Sequence, residues 1–286
     1  MSRINVVIVG APRSGTNMLR DMLVKLPKVG TWPCDEINYI WRHGNVRYPS
    51  DAFTRDMAAA DVKRYIHTQF DQLAKSHQLD MVVEKTCTNS LRVGFVDEVL
   101  PDAKYIFIVR DGVDVVGSAM LRWKASLDIP YLLAKARYVP IVDLPYYASK
   151  YLSNRLYRLI SKEKRLASWG PKLDDMDAIL KNYSLLQVCA LQWKACVNKS
   201  EEEFSRIDPE RVVRVKYEDL VSHPHDEFLR IAKFLGQEVT PSILNGVTQS
   251  VSIGSVGKGR AALGASGLAE ILPLINETLA VHGYKV

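Results

Sequence analysis

The sequence predicts an α/β protein with a mostly parallel central sheet of four or five strands, flanked by helices in three layers. A buried-strand pattern at residues 4–9 leads through a tight turn into a helical pattern at 16–25. Further apolar runs of strand length lie at 79–83, 103–109 and 211–215, with helical patterns between them. The 286 residues are 47% hydrophobic and 24% charged, enough for a full core, so we expect a single domain over residues 1–286.

The turn after the first strand has the spacing of a phosphate-binding loop. Gly10 and Gly15 bracket Ala-Pro-Arg-Ser in the G-x-x-x-x-G pattern of a P-loop. Unpaired N–H groups at a helix start, together with the positive end of the helix, attract anions to such a turn. A nucleotide triphosphatase would continue with lysine and then serine or threonine, whereas this chain has Thr16 and Asn17 and carries its cation inside the loop as Arg13. We therefore expect a P-loop-like fold with a phosphate loop of a different kind.

An acidic pair and a lysine are the next candidate site residues. Asp35 and Glu36 lie among aromatic residues soon after the loop. A carboxylate held near the ligand is one interpretation, and capping of the following segment is the alternative. A helical pattern over 50–78, opening near Ser50 and Asp51, leads to the strand at 79–83, which delivers Lys85 at its carboxyl end. Parallel sheets bind ligands outside the carboxyl ends of their strands, although a lysine there is often only solvated.

A second anion-binding pattern follows the third strand. Arg110 closes that strand, and Ser118 and Arg122 are four residues apart, so they share one face of the next helix. Two guanidinium groups and a hydroxyl directed at one place would hold a phosphate by charge-assisted hydrogen bonds. A surface helix with a chance Ser-x-x-x-Arg spacing is the alternative.

The second half of the chain is less informative. Residues 124–185 match no motif and include a basic helical pattern at 150–165, which predicts a helical and loop insertion. Helical patterns recur at 183–204, 226–235 and 268–281. The Tyr-Glu-Asp-Leu turn at 217–220 is interpreted as architectural. A glycine-rich basic loop at 252–260 is either a contact for phosphate or a surface loop.

The two anion-binding patterns resemble those of sulfotransferases that use 3′-phosphoadenosine 5′-phosphosulfate (PAPS). The string Pro-Arg-Ser-Gly-Thr at 12–16 resembles the 5′-phosphosulfate loop, and Val-Arg-Asp at 109–111 with Ser118 resembles the 3′-phosphate motif. The resemblance is good over the first 123 residues, moderate over 211–236 and weak elsewhere. It implies transfer of a sulfuryl group from PAPS to an acceptor hydroxyl or amine, with adenosine 3′,5′-bisphosphate as product. A glycan or small hydroxylated metabolite is the expected acceptor, recognised in part by the 124–185 insertion.

The resemblance also implies roles for individual residues. In the glycan and tyrosyl-protein branches of the family a glutamate after the loop is the general base, and Glu36 is the closest match, with Asp35 second. Lys85 matches the lysine placed against the sulfuryl group, so the catalytic residues implied are Glu36, Lys85 and Arg13. The cofactor-binding residues implied are Arg13, Ser14, Gly15, Thr16, Asn17, Arg110, Ser118, Arg122, Lys258, Gly259 and Arg260.

Composition and residue spacing also indicate which other ligands and sites to expect. The net charge of +6 suits an anionic ligand, but no Lys/Arg run with interleaved aromatics favours nucleic acid. Four cysteines without C-x-x-C pairing predict neither zinc nor disulfides, and no metal is expected. No leader or membrane-spanning run is seen, so a cytoplasmic protein is expected. The alternatives are a magnesium-dependent nucleotide phosphotransferase with an atypical P-loop and a nucleotide-binding module without turnover.

Overall fold

A computed structural model describes residues 3–123, 138–149, 152 and 169–285. Within them the chain forms a five-stranded parallel sheet in the order β2-β3-β1-β4-β5. The strands are β1 (Ile4–Val9), β2 (Val29–Gly30), β3 (Met81–Lys85), β4 (Lys104–Val109) and β5 (Val212–Lys216). The predicted α/β fold with a parallel central sheet is confirmed. The sequence did not predict β2, because a two-residue edge strand has no periodicity to detect.

The helices with bounds inside the described residues are numbered here in chain order. They are α1 (Thr16–Leu23), α2 (Asn38–Trp41), α3 (Ala60–His77), α4 (Val93–Val99), α5 (Gly112–Trp123), α6 (Met176–Asn182), α7 (Leu185–Phe204), α8 (Tyr217–Ser222), α9 (Pro224–Leu235), α10 (Pro241–Thr248) and α11 (Lys258–Val281). None of the helices in this described part of the chain is long and apolar enough to cross a membrane.

The sheet is buried on both faces, which explains its continuous apolar strands. Val6 and Ile8 of β1 face a core made with α1, α8, α9 and α10. Val7 and Val9 face the other way, into a larger core made with α3, α4, α5, α7 and α11. Helices on both faces of one sheet give the predicted three layers.

The strand register brings the functional loops to one edge of the sheet. Ile8 of β1 pairs with Lys85 of β3 and with Ile106 of β4, so these strands end close together. The loop after β1 therefore lies between Lys85 on one side and the residues that follow β4 on the other. This is the edge at which parallel sheets bind ligands.

Several predicted boundaries were wrong. Helix α3 begins at Ala60 rather than near residue 50, and Asp51 does not cap it: the buried Asp51 carboxylate accepts hydrogen bonds from Arg42 and from the Lys172 N–H. Strand β3 runs over 81–85 rather than 79–83, so Lys85 is its last residue. The last helix begins at Lys258, not at 268, because it continues through a kink at Gly264.

The predicted insertion at 124–185 is described only in part. Its basic helical pattern at 150–165 falls outside the described residues except for residue 152. Residues 138–149 pack beside α2, where the rings of Tyr39 and Tyr147 meet edge to face with centroids 4.6 Å apart. The single-domain organisation stays a prediction.

Candidate active site

The loop after β1 has an unusual backbone. Arg13 has φ 72°, a left-handed conformation that is uncommon for a residue with a side chain, and Gly15 has φ 88°. Strain of this kind is found at functional sites, and left-handed residues beside right-handed ones turn N–H groups to one side, which favours anions. Helix α1 starts at Thr16 with no side-chain cap and no acidic residue in its first turn. Its first N–H groups therefore remain available to a ligand, beside the half-buried Asn17.

Ser14 and Gly15 of this loop are closely packed by their surroundings. Ser14 is fully buried, and its Oγ has no hydrogen-bond partner in the described ranges. Gly15 packs against Tyr217 so closely that a Cβ there would lie 2.4 Å from the Tyr217 ring. The Arg110 guanidinium also lies over that ring, 4.3 Å from its centroid. Tyr217 thus joins the two anion-binding motifs, a role that its architectural interpretation missed.

Three guanidinium groups converge on the loop. Arg13 donates from Nε to Ser118 Oγ at 2.9 Å, and Arg110 donates from Nη1 to the Arg13 carbonyl at 3.0 Å. Burial lowers the pKa of the Arg13 guanidinium, and the positive charges of Arg122 and Arg110 lower it further. Residues from both predicted motifs therefore lie side by side, with like charges held close together. Such an arrangement is typical of a site that binds an anion.

Arg110 also holds the glycine-rich loop near the C-terminal end. Its Nη2 donates to the Ser255 carbonyl at 2.6 Å and lies 3.6 Å from Asp114 Oδ2. The Asp114 carboxylate accepts the N–H groups of Gly257 and Gly259, each at 2.7 Å. Arg110 Nε is buried and has no partner in the part of the chain that is described. One guanidinium thus connects the first loop, α5 and the loop before α11.

Lys258, Gly259 and Arg260, the predicted site residues of the late basic loop, lie in three different environments. Gly259 is buried against α5, where a Cβ on Gly117 would lie 2.7 Å from Gly259 Cα. Lys258 is exposed at the start of α11. Arg260 donates to the Lys285 carbonyl at 2.9 Å and so faces the C-terminal residues. The structure brings Gly259 to Arg110 but directs the Arg260 side chain elsewhere.

Lys85 and the acidic pair meet on the other side of the loop. Lys85 Nζ lies 3.2 Å from Glu36 Oε1 and 3.7 Å from Asp35 Oδ1, and the Lys85 side chain is 1% exposed. Burial lowers the pKa of the Lys85 ammonium, but the negative charges of Glu36 and Asp35 oppose burial, and the pKa is raised above its usual value. The lysine therefore stays charged. Asp35 is also held by Arg20 at 2.8 Å, and the side chains of Asp35 and Glu36 are 34% and 25% exposed.

Cys87 links this pair to the phosphate loop, and the sequence analysis did not identify it. Its N–H donates to Glu36 Oε1 at 3.3 Å, and its Sγ lies 3.6 Å from Thr16 Oγ1 at the start of α1. Burial raises the pKa of the Cys87 thiol, so the sulfur stays neutral. Its position two residues after Lys85 was the only signal that could have found it.

The candidate active site is defined by its polar groups. Cavities of about 470 and 400 Å³ lie along α7, lined in part by Ala52, Asp174 and Lys199, and none of the predicted site residues lines them. Among the described residues, no three His, Cys, Asp or Glu side chains are grouped as metal ligands would be.

Comparisons with known proteins identify the family. The sulfotransferase family model matches residues 5–138 and 154–241. A sulfotransferase domain from the curacin biosynthetic pathway is 15% identical with a TM-score of 0.58, covering 100% of this chain and 99% of that one. The corresponding domain of the Synechococcus PCC 7002 olefin synthase is 18% identical with a TM-score of 0.55, covering 100% and 96%. These identities show the fold alone, and a search of curated proteins found no match. Because the family model matches most of the sequence, the chain belongs to the sulfotransferase family.

Proposed function

We propose that this protein transfers a sulfuryl group from PAPS to an acceptor hydroxyl or amine, without a metal. The observation that carries the proposal is the convergence of Arg13, Arg110 and Arg122 on a P-loop-like turn that lacks the P-loop lysine. Three like charges close together cost free energy unless an anion neutralises them. Membership of the family supports sulfuryl transfer as the reaction.

The polar groups around the loop fit the cofactor. Ser14 Oγ and Arg110 Nε are buried polar atoms without partners in the described ranges, and such atoms usually serve a ligand or water. Residues 13–17 would hold the 5′-phosphosulfate, and Arg110, Ser118 and Arg122 would hold the 3′-phosphate that distinguishes PAPS from ATP. Lys258, exposed at the start of α11, would close over the nucleotide, and Gly259 would hold that end of the helix against α5. The cofactor supplies an activated sulfuryl group and a stable leaving group.

Glu36 is the proposed general base. Its carboxylate is partly exposed and adjoins Lys85, so an acceptor can approach it from solvent. Glu36 would take the proton of the acceptor hydroxyl or amine, and PAPS would supply the sulfuryl group together with the phosphate that leaves. Lys85 and Arg13 offset the negative charge that develops on the departing phosphate oxygen. The raised pKa of Lys85 keeps that charge available at neutral pH.

The insertion is the proposed acceptor-binding element. Its residues 138–149 contact the segment that follows Glu36: His43 Nδ1 lies 2.9 Å from Asp143 Oδ2, and Tyr39 meets Tyr147 edge to face. Aromatic faces beside a catalytic carboxylate suit a sugar ring or another hydroxylated small molecule. A glycan or small metabolite therefore remains the proposed acceptor class.

Calorimetric titration tests the cofactor. Adenosine 3′,5′-bisphosphate, ADP and ATP are each titrated with and without magnesium. We expect tight, metal-independent binding of the bisphosphate and weak binding of ADP and ATP, because only the bisphosphate has a 3′-phosphate. Magnesium-dependent preference for ATP would instead support the phosphotransferase alternative.

A transfer assay tests turnover. Radiolabelled PAPS is supplied with a panel of phenol, sugar and alkyl-alcohol acceptors, and labelled products are separated from PAPS and free sulfate. A labelled acceptor supports the proposal. Bisphosphate binding without transfer to any acceptor or to water would indicate the non-catalytic binding module.

A further inference from the structure

Buried hydrogen bonds join the segment that carries Glu36 to the segment that carries Lys85. We propose that these bonds, made by Thr86, Asn38 and Arg92, position the Glu36 carboxylate for proton transfer. The inference rests on the proposed role of Glu36 as the base. None of the three residues is among those proposed to bind the nucleotide or to exchange a proton, so each would act through Glu36 as a positioning residue.

The two residues after Glu36 are each tied to the chain that follows Lys85. The Ile37 N–H donates to Thr86 Oγ1 at 3.1 Å, and both residues are buried. Asn38 Oδ1 accepts two hydrogen bonds, from Thr88 Oγ1 at 3.1 Å and from Arg92 Nη2 at 2.6 Å. The backbone just beyond Glu36 is therefore fixed to the end of β3.

Helix α2 alone cannot fix the backbone that follows Glu36. It comprises only Asn38–Trp41, and its N-cap residue Ile37 has no side-chain cap. A single helical turn is not stable without outside contacts. A buried backbone N–H also needs a partner, and the Thr86 hydroxyl is the one that Ile37 has. Removing that hydroxyl would leave the N–H unsatisfied one residue from the carboxylate.

Arg92 has a single orientation, so it can fix Asn38. Its side chain is fully buried, and its Nε donates to Asn89 Oδ1 at 2.8 Å. Its guanidinium lies 5.0 Å from the Phe53 ring centroid, and its Nη1 is 3.9 Å from Asp51 Oδ1. Burial opposes the charge on Asp51, but Arg92 and Arg42 outweigh burial and hold the pKa of that carboxyl below its usual value. The cluster is thus charged, packed and held from several sides.

Two hydrogen bonds from the β3 segment hold the Glu36 carboxylate in place. Its Oε1 is placed by Lys85 Nζ at 3.2 Å and by the Cys87 N–H at 3.3 Å. Both donors belong to the β3 segment, so the carboxylate keeps them only while residues 37 and 38 stay bonded to that segment. A displacement of about 1 Å in a catalytic group can cost about a hundredfold in rate.

The test compares Thr86→Val, which keeps the shape of Thr86 but lacks the hydroxyl, with Thr86→Ser, which keeps the hydroxyl. Each change is made in the wild type and in Glu36→Gln. Sulfuryl transfer from radiolabelled PAPS is measured with the best acceptor of the panel, or with water, and the affinity for adenosine 3′,5′-bisphosphate is measured by calorimetry. We expect Thr86→Val to lower kcat about tenfold or more at unchanged bisphosphate affinity, and Thr86→Ser to keep nearly full activity. In Glu36→Gln, Thr86→Val should cause no further loss, because its effect passes through Glu36.

The outcomes separate this inference from the proposed function. Full activity of Thr86→Val beside a Glu36→Gln variant of strongly reduced kcat overturns the inference alone. The same fold-loss from Thr86→Val in both backgrounds shows a merely structural role and also overturns it. Unchanged turnover in Glu36→Gln overturns the base assignment and the inference with it. If Thr86→Val does not fold, Asn38→Ala at a half-buried position provides the same cycle with the same expected results.

Discussion

Arg13 of the first loop donates its Nε proton to Ser118 of α5 at 2.9 Å, across 105 positions of the sequence. The two motifs that the sequence analysis treated as separate anion sites are therefore one connected surface. Arg110 also donates to the Arg13 carbonyl. A ligand that moves Arg13 would therefore change hydrogen bonds in both motifs. We expect the two phosphate groups of the nucleotide to contribute to binding jointly.

Arg122→Ala should weaken the binding of adenosine 3′,5′-bisphosphate. Arg122 is exposed, so its loss should leave the fold unchanged, while a charged hydrogen bond to the 3′-phosphate contributes about 1.5–3 kcal/mol. Calorimetry should show at least about a tenfold rise in Kd. Arg64→Ala, which removes an equally exposed arginine from α3, is the matched control. Equal Kd values for the two variants would contradict a role for Arg122.

Gly15→Ala should destabilise the protein more than Gly236→Ala does. Both glycines have left-handed φ, 88° and 73°, so each substitution adds about 1–2 kcal/mol of backbone strain. A Cβ at residue 15 also meets the Tyr217 ring, whereas nothing lies within 4 Å at residue 236. Overpacking adds about 1–3 kcal/mol, measurable by urea unfolding. An equal loss of stability in both variants would show that the ring gives way without cost.

Glu36→Gln should slow transfer strongly without abolishing it, and Asp35→Asn should not slow it. General base catalysis contributes about 10²–10⁴-fold, so we expect at least a hundredfold loss of kcat in Glu36→Gln with bisphosphate affinity kept. Asp35 is held by Arg20, which leaves its carboxylate less available to an acceptor. The transfer assay compares both variants with the wild type. The reverse ranking would assign the base to Asp35.

Glu84 should make the protein less stable as pH rises. Full burial raises the pKa of this carboxyl from 4.5 to about 7, although the polar groups of Thr86 and Trp41 and the charges of Lys85 and Arg92 oppose the shift. Between pH 4.5 and 7 the folded protein keeps a proton that the unfolded chain releases. The free energy of unfolding therefore falls through this window, by about 3 kcal/mol in total.

Urea unfolding at pH 5 and pH 8 checks this prediction with Glu84→Gln. The variant lacks the titrating group, so its stability relative to the wild type should be higher at pH 8 than at pH 5. Glu238→Gln, an exposed substitution, should follow the wild type at both values. Parallel curves for wild type and Glu84→Gln would show that Glu84 does not titrate in this range.

Local patterns were enough to predict the fold and the outline of the site. The strand, turn and helix around Arg13, the lysine at the end of β3 and the arginine at the end of β4 are each contiguous signals. The parallel sheet then brings them to one edge. The prediction of a sulfotransferase is confirmed by the match to the family model.

Contacts between distant segments could not be predicted from the sequence. Nothing in the sequence near Tyr217 indicates that its ring contacts both Gly15 and Arg110. The late loop was predicted to be either a contact for phosphate or a surface loop, yet a helix begins there at Lys258, where Asp114 accepts the N–H groups of Gly257 and Gly259. The side chain of Arg260 is likewise directed by the Lys285 carbonyl, a partner outside its own motif. Such pairings depend on tertiary packing, which has no local periodicity.

The central place of β1 has a consequence for how the protein folds. Its strand neighbours come only at residues 81–85 and 104–109, and the loop it leads into is completed by Tyr217 and Ser255. Sheets assembled from such distant segments fold slowly. Until its partner strands form, an unpaired β-branched run such as Ile4–Val9 can pair with other chains and aggregate. We therefore expect refolding yields to fall with protein concentration. Nucleotide affinity should return after the helical circular dichroism signal, since it depends on the last pairings to form.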